Sequence, residues 1–172
     1  MMRKLYVLSF VFALLMSSKV VAQDLDFKVG LNVATESEKT GLFLGAEYGL
    51  TPVIDLVAGI SFFTPESNTY NDPFTGNRIK TRAGLWMFDI NGNYNFPVGD
   101  GFTLYPLAGL NVTTVSWKVD NERDSDSELG VNIGGGASYD INDKLDAFLE
   151  VKYILGDFDQ ACLGLGVLLR LN

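Results

Sequence analysis

Histidine is absent from this sequence of 172 residues, and cysteine occurs once, as Cys162. Without histidine, the Ser-His-Asp and Cys-His arrangements of nucleophilic catalysis cannot form, and most zinc and copper sites are excluded. A lone cysteine cannot close an internal disulfide, so we expect Cys162 to pack as a small residue. These absences predict a protein that is not an enzyme and that binds no cofactor or metal.

Long hydrophobic runs are also missing. The longest apolar segment, Leu5 to Met16, is far shorter than the roughly 20 residues that a membrane-spanning helix needs. Two basic residues precede it and Val20-Val21-Ala22 follows it, which is the order of a secretory signal peptide with a cleavage site after Ala22. We therefore predict a signal peptide over residues 1–22 and a mature domain over residues 23–172.

Basic residues are scarce, with 13 lysines and arginines against 21 acidic residues and a net charge of −8. Cleavage would remove Arg3, Lys4 and Lys19, which leaves 10 basic against 21 acidic residues and a mature charge of −11. Such a surface repels nucleic acid. The mature length of about 150 residues suffices for one domain. We predict a single acidic domain that does not bind nucleic acid.

Bulky apolar residues occupy every second position in eight stretches of the mature chain. A period of two places alternate side chains on the two faces of a β-strand. The predicted strands cover residues 24–34, 41–50, 54–62, 86–96, 104–113, 129–140, 145–153 and 162–171. Asn91-Gly92 is also a sequence typical of a two-residue hairpin turn, but the alternation continues through it in phase, which favours a strand.

The connections between these strands alternate in length. The odd ones are polar, acidic and often long, and they cover residues 35–39, 65–78, 120–128 and 156–159. The even ones are short and cover residues 51–52, 97–101 and 142–144. In an up-and-down sheet, odd and even connections lie at opposite ends. This asymmetry is typical of bacterial outer-membrane barrels, which have short periplasmic turns and longer outside loops.

The polar face of the strands is rich in glycine. Its glycines are Gly30, Gly41, Gly45, Gly49, Gly59, Gly109, Gly130, Gly134, Gly136, Gly164 and Gly166. Small residues suit the narrow interior of an eight-stranded barrel, so we predict that the polar face points inward and the apolar face points to lipid. Aromatic residues support this prediction, because they cluster near the strand ends where interfacial girdles form. The expected girdles comprise Phe27, Tyr48, Tyr94, Phe96 and Tyr139 at one end, and Phe62, Trp86 and Tyr153 at the other.

The segment from Trp86 to Phe96, WMFDINGNYNF, is followed by a short turn and then by Leu104 to Leu110, LYPLAGL. This arrangement resembles the small outer-membrane β-barrel proteins, the class of OmpX, the OmpA membrane domain, and porin-family and OmpW-like proteins. The resemblance implies an all-β, eight-stranded, antiparallel, up-and-down transmembrane barrel in a bacterial outer membrane, with both termini on the periplasmic side. It implies a monomer, with outer-membrane lipid, lipopolysaccharide and the barrel-assembly machinery as partners. Members usually end on an aromatic residue; this chain ends Leu171-Asn172, so we expect less efficient insertion.

Several charged residues fall on the polar face. They are Lys28, Glu47, Asp89, Glu150, Lys152 and Arg170. An isolated buried charge costs several kcal/mol, so we predict that these residues form a salt-bridged interior network. Such a network either plugs the barrel or acts as the gate of a narrow pore. A carboxylate pair such as Asp89 with Asp146 suits acid–base catalysis, but interior carboxylates are more often structural.

The acidic connection over residues 120–128 resembles a calcium loop, but Leu129 occupies the position where an EF-hand needs glycine. A solvated loop, or loose divalent-ion bridging to lipopolysaccharide, is the remaining interpretation. Tyr70 and Phe74 are candidates for partner contact in the preceding long connection. We therefore expect the protein to act in surface contact, adhesion or envelope integrity, or as a narrow small-solute pore. The alternative is a secreted, soluble, lipocalin-like barrel that binds an apolar ligand in its interior.

Overall fold

The computed structural model describes residues 25–71, 78–119 and 122–171, which form ten antiparallel strands. The predicted signal peptide and Phe74 lie outside these residues. The strands are β1 (Leu25–Ala34), β2 (Lys39–Thr51), β3 (Ile54–Phe63), β4 (Glu66–Asn71), β5 (Arg78–Tyr94), β6 (Phe96–Gly99), β7 (Phe102–Val119), β8 (Glu122–Asn142), β9 (Leu145–Leu155) and β10 (Gln160–Leu169). Within the described ranges, no helix is long and apolar enough to cross a membrane.

The sheet closes on itself. Strand β1 pairs with its neighbour β2 and also with the last strand, so that Val29 lies opposite Leu44 on one side and Val167 on the other. The short strands β4 and β6 extend β3 and β5, because β4 pairs with the start of β5 and β6 pairs with the start of β7. Eight long strands therefore form the barrel, and the predicted fold class is confirmed.

The Asn91-Gly92 sequence lies inside β5 and is not a turn. Gly92 pairs with Leu56 on one side and with Ala108 on the other. The ladder therefore continues through this dipeptide, as its unbroken alternation indicated.

Two of the predicted loops are largely strand, which corrects the sequence analysis. The connection over residues 65–78 contains β4, and the connection over residues 120–128 contains the first seven residues of β8. These segments are polar on both faces, so they carry no apolar alternation, yet their backbone groups still pair with neighbouring strands. Periodicity reports only where one face is apolar, and it therefore missed strands that are polar on both faces.

The barrel rim is uneven because the strands differ in length. Strands β1, β3 and β10 contain 10 residues each, whereas β5, β7 and β8 contain 17, 18 and 21. A tilted strand crosses a bilayer with about 9–11 residues. The surplus projects by roughly 20–30 Å along the strands. We call this projection the blade; it comprises β4 and residues 78–85, 114–119 and 122–128.

The apolar face of the barrel points outward. Leu31, Ile133 and Leu165 are 56%, 56% and 60% exposed, whereas Lys28 and Asn132 on the opposite face are 4% and 0% exposed. A soluble barrel with an apolar ligand cavity requires the reverse arrangement, so that alternative is wrong.

Exposed aromatic side chains ring both ends of this apolar belt. At the end with short turns, Tyr94 contacts Phe96 at 4.6 Å between ring centroids, and Phe102 contacts Tyr139 at 4.5 Å. Phe27 is exposed at the same end, whereas Tyr48 is partly buried. Phe62, Trp86 and Tyr153 are exposed toward the blade end. The expected girdles are present, and Phe102 extends the first one.

Candidate functional site in the barrel lumen

A buried carboxylate organises the middle of the lumen. The ammonium of Lys152 lies 2.6 Å from Oδ2 of Asp89, and both side chains are almost fully buried. Asn111 and Asn132 each donate a hydrogen bond of 2.8 Å to Oδ1 of the same carboxylate. Asn132 also donates to Oδ1 of Asn91 at 2.7 Å. The charge of Asp89 is thus neutralised and its oxygens are satisfied, as a buried carboxylate requires.

A second charged group lies nearer the short turns. The ammonium of Lys28 is 2.6 Å from Oε2 of Glu47, and it stands 5.3 Å and 5.2 Å from the ring centres of Tyr105 and Phe148. These distances suit cation–π contacts, which strengthen when water is excluded. The Tyr105 hydroxyl donates to Glu150 at 3.4 Å. Aromatic rings and one ion pair therefore close the lumen at this level.

Below this level a cavity of about 670 Å³ opens at the short-turn end. We call it the vestibule. Arg170 lies at its rim and donates through Nη2 to Asp140 and Asp146, each at 2.7 Å. Burial lowers the pKa of the Arg170 guanidinium and the two carboxylates raise it, with a net upward direction. Asn95 donates to Asp55 in the same cavity. The vestibule is therefore polar and charged.

An apolar layer fills the lumen near the blade. Its buried members are Ala34, Phe63, Leu85, Met87, Ile154 and Cys162, and Val115 packs against them. Met87 and Ile154 are each 1% exposed. A second cavity of about 220 Å³, lined by Lys39, Leu85 and Gln160 among others, lies beyond this layer. The vestibule and this upper cavity share no lining residue.

The six predicted interior charges form separate groups in the described structure. Lys28 pairs with Glu47, and Lys152 pairs with Asp89, whereas Glu150 accepts only from a tyrosine. Arg170 pairs with carboxylates that the sequence analysis did not assign to it. A functional role for these charges stays a prediction.

Sequence reasoning missed the apolar layer. It predicted a polar, glycine-rich interior, but Leu85 and Met87 share the inward face of β5 with Asp89. The uninterrupted apolar run Leu85-Trp86-Met87-Phe88 was a usable signal, because it shows that both faces of the strand are apolar there.

Metal and loop candidates can be placed only in part. Among the residues that the structure describes, no group of three or more His, Cys, Asp or Glu side chains could hold a metal ion. Tyr70 lies in β4, opposite Ile79 of β5. Its suggested role in partner contact stays a prediction.

Known proteins with sequences or structures similar to this chain are also β-barrels. The family model described as outer membrane protein beta-barrel domain matches residues 8–170. The N-terminal β-barrel domain of Pseudomonas aeruginosa OprF is similar, with 17% identity and a TM-score of 0.63 over 86% of this chain and 96% of that chain. Neisserial surface protein A is 14% identical, with a TM-score of 0.60 over 86% and 95%.

The attachment invasion locus protein Ail of Yersinia pestis, solved in complex with the heparin analogue sucrose octasulfate, is also similar. It is 10% identical, with a TM-score of 0.57 over 85% of this chain and 96% of that chain. Identities this low establish a shared fold and nothing about ligands. No curated protein matches the chain.

Proposed function

Because this chain belongs to the outer membrane protein β-barrel domain family and is a small barrel of the bacterial outer membrane, we propose that it is a closed barrel that makes surface contacts through its blade. The apolar layer of the lumen is the observation that supports a closed barrel. The blade is the observation that supports surface contact. We place its end of the barrel outside the cell, where the longer connections of such barrels lie.

The closed state rests on two successive barriers. The layer around Met87 and Ile154 offers an ion no polar partner, and hydrophobic constrictions stop conduction by excluding water. Behind it lie the buried Lys152–Asp89 pair and the asparagines that donate to it. A solute would have to disrupt both barriers, so we propose that the lumen is structural.

The surface-contact role rests on the blade face that continues the lumen side of the strands. Trp117 on this face is 41% exposed, and Asp124 and Asp126 beside it are exposed as well. Exposed tryptophans are frequent anchors of protein interfaces. Acidic neighbours favour a basic partner by charge complementarity. We propose that this face binds a basic protein surface.

Two similar proteins support the class of function. Ail is an attachment invasion locus protein, and Neisserial surface protein A is a surface protein. The heparin analogue bound to Ail is a polyanion, whereas the face around Trp117 is acidic. We therefore propose surface contact of the same general kind with a partner of opposite charge.

A binding experiment tests the contact. The protein in nanodiscs is passed over immobilised matrix proteins that span basic to acidic isoelectric points. We expect binding to increase with the basicity of the matrix protein, and the triple variant Trp117→Ala, Asp124→Asn, Asp126→Asn to lose about tenfold or more in affinity. Lys144→Gln, at an exposed turn of the opposite end, should bind like wild type. Equal binding by the triple variant would contradict the proposal.

A narrow pore is the second candidate, because the vestibule reaches inward as far as Lys28. Planar-bilayer recordings separate the two. We expect wild type and Glu150→Ala to be silent, and Leu85→Ser with Met87→Ser to stay silent as well, because the Lys152–Asp89 pair still fills the lumen behind the apolar layer. Discrete openings in wild type that increase in Glu150→Ala would instead favour a gated pore.

A further inference from the structure

The charged residues of the blade are divided by sign between its two faces. Strand register assigns each blade position to the face that continues the lumen or to the face that continues the lipid-exposed exterior. The positions on the lumen side are Glu66, Glu122, Asp124, Asp126 and Glu128. Those on the exterior side are Arg78, Lys80, Arg82, Lys118 and Arg123. These ten are all the charged residues of the blade as defined above.

The separation is unexpected in a chain with a net charge of −8. Acidic residues outnumber basic ones, yet none holds an exterior position of the blade. If both faces of the blade met water alone, acidic and basic residues would have no reason to separate between them. An anionic layer beside the exterior face would, because it attracts cations and repels carboxylates.

Three of the cations occupy one row across three neighbouring strands. Arg82 of β5 pairs with Lys118 of β7, which pairs with Arg123 of β8. Directly opposed residues have Cβ atoms about 4.5–5.5 Å apart, and like charges there are destabilising. The side chains of Arg82 and Lys118 are exposed, and neither forms an ion pair with a described residue. Arg82 and Lys118 therefore have no protein counter-charge among the described residues.

The row stands close above the hydrocarbon belt. Trp86 marks the edge of the belt on β5, and Arg82 lies four residues further along the same strand, roughly 13 Å away before the strand tilt is taken into account. Arginine and lysine side chains extend toward a membrane surface from such positions. Ser116 and Ser125 occupy the intervening row and offer hydroxyl donors. This height corresponds to the headgroup layer.

We infer that the exterior face of the blade binds phosphate groups carried by lipids of the outer leaflet, with diphosphorylated lipid A of lipopolysaccharide as the ligand. The Arg82 guanidinium is suited to two-pronged binding of a phosphate, and Lys118 supplies a point charge beside it. One diphosphorylated headgroup would neutralise Arg82 and Lys118, which pair with no acidic side chain among the described residues. The assignment does not rest on the proposed contact face around Trp117, which is the opposite face of the blade.

A lipid-binding measurement tests this assignment. The refolded full chain in detergent is titrated with fluorescent diphosphoryl lipid A and with the same lipid after removal of its phosphates. We expect Arg82→Gln with Lys118→Gln to weaken binding of the phosphorylated lipid by about tenfold or more, and to make binding less sensitive to salt. Wild type should bind the dephosphorylated lipid as weakly as the double variant binds the phosphorylated one. Lys144→Gln, which removes an exposed cation at the opposite end, should change nothing.

Further arms identify the source of the phosphate. Orthophosphate is added at 10-fold molar excess over the lipid, at a constant and roughly physiological ionic strength. We expect it not to displace lipid A. Full displacement would indicate a site for free phosphate and overturn the lipid assignment. Equal binding by wild type and double variant would also overturn it. Asp124→Asn with Asp126→Asn should leave lipid binding unchanged while weakening contact with basic proteins, so the two proposals can fail separately. Heat-modifiable gel mobility confirms that each variant is folded.

Discussion

At membrane level the strands β5, β7 and β8 are apolar outside and polar inside; in the blade β5 and β7 reverse this order, and β8 is polar on both faces. At membrane level Phe88, Val112 and Leu129 face outward, while Asp89 and Asn111 face the lumen. In the blade the outward positions are cationic and hydroxylic, and apolar Val115 and Trp117 lie on the lumen side. The same backbone ladder continues through both levels.

The difference shows what the period of two encodes. It encodes two faces, and the medium on each side decides which residue types are tolerated there. Lipid requires apolar side chains, a sealed lumen tolerates paired charges, and a headgroup layer favours cations. The experiments below break or sharpen this contrast, from the largest expected effect to the smallest.

Removing one partner of an ion pair should cost much more at membrane level than in the blade. Asp89→Asn removes the carboxylate that contacts the buried Lys152 ammonium, and we expect a loss of about 3–5 kcal/mol in the free energy of unfolding. Glu66→Gln breaks a long 3.9 Å pair in which the Glu66 carboxylate is exposed to solvent, and it should cost about 0–1 kcal/mol. Urea unfolding in vesicles measures both, and adding Lys152→Met to Asp89→Asn should restore most of the loss. Equal costs for the two single variants would remove the contrast.

An outward cation should also depend on level. Ile133→Arg places a charge on the lipid face and should destabilise the barrel by about 2–4 kcal/mol. Ser125→Arg places the same charge on the exterior face of the blade, where we expect a change of less than about 0.5 kcal/mol. Refolding yield into vesicles, scored by heat-modifiable mobility on gels, compares the two. Normal assembly of Ile133→Arg would contradict the assigned facing.

A methyl group on a lumen glycine tests how closely the strands approach. A Cβ at Gly134 would lie 2.2 Å from the carbonyl oxygen of Val151, which is backbone and cannot rotate away. We expect Gly134→Ala to cost about 1–3 kcal/mol of unfolding free energy. In the blade, a Cβ at Gly84 would meet the rotatable hydroxyl of Ser116 at 3.0 Å, so Gly84→Ala should cost less than about 0.5 kcal/mol. A cost at Gly84 as large as that at Gly134 would show that the blade is packed as tightly as the lumen.

The smallest expected effect changes sign with the lipid. Lys118→Glu replaces a like-charged row with an alternating one, and we expect it to stabilise the protein by about 0.2–1 kcal/mol in zwitterionic vesicles. In vesicles that contain diphosphoryl lipid A, the same substitution should destabilise it. Thermal unfolding in the two vesicle types measures the difference, and a change of the same sign in both would speak against a phosphate-binding row.

The sequence predicted the barrel because each membrane-level strand has one face in lipid. The alternation of Leu163, Leu165 and Val167 with Gly164 and Gly166 could not arise in a strand that is wet on both sides. The blade escaped prediction for the opposite reason, since segments such as β4 have no apolar face. Its charge separation became readable only after the register had assigned Arg82 and Lys118 to one row.

The sequence predicted which charged residues point into the lumen, but it did not predict which of them contact each other. Phase alone placed Lys28, Asp89 and Lys152 inside, but the partner of Lys152 lies 63 residues away along the chain. Which inward residues meet depends on the shear of the closed barrel, and no local pattern reports it. The apolar layer around Met87 is likewise a product of closure, because its six buried members come from five different strands and Val115 from a sixth.

The apolar layer also isolates Cys162 chemically. Cys162 is 2% exposed and belongs to the buried cluster that includes Phe63, Leu85, Met87 and Ile154, so its sulfur is shielded from solvent in the folded barrel. Disulfide exchange requires attack by an accessible thiolate. An exported protein with one cysteine would otherwise be prone to cross-linking with other chains in an oxidising compartment. Closure of the lumen therefore protects the Cys162 thiol of the folded protein from oxidation and from cross-linking to other chains.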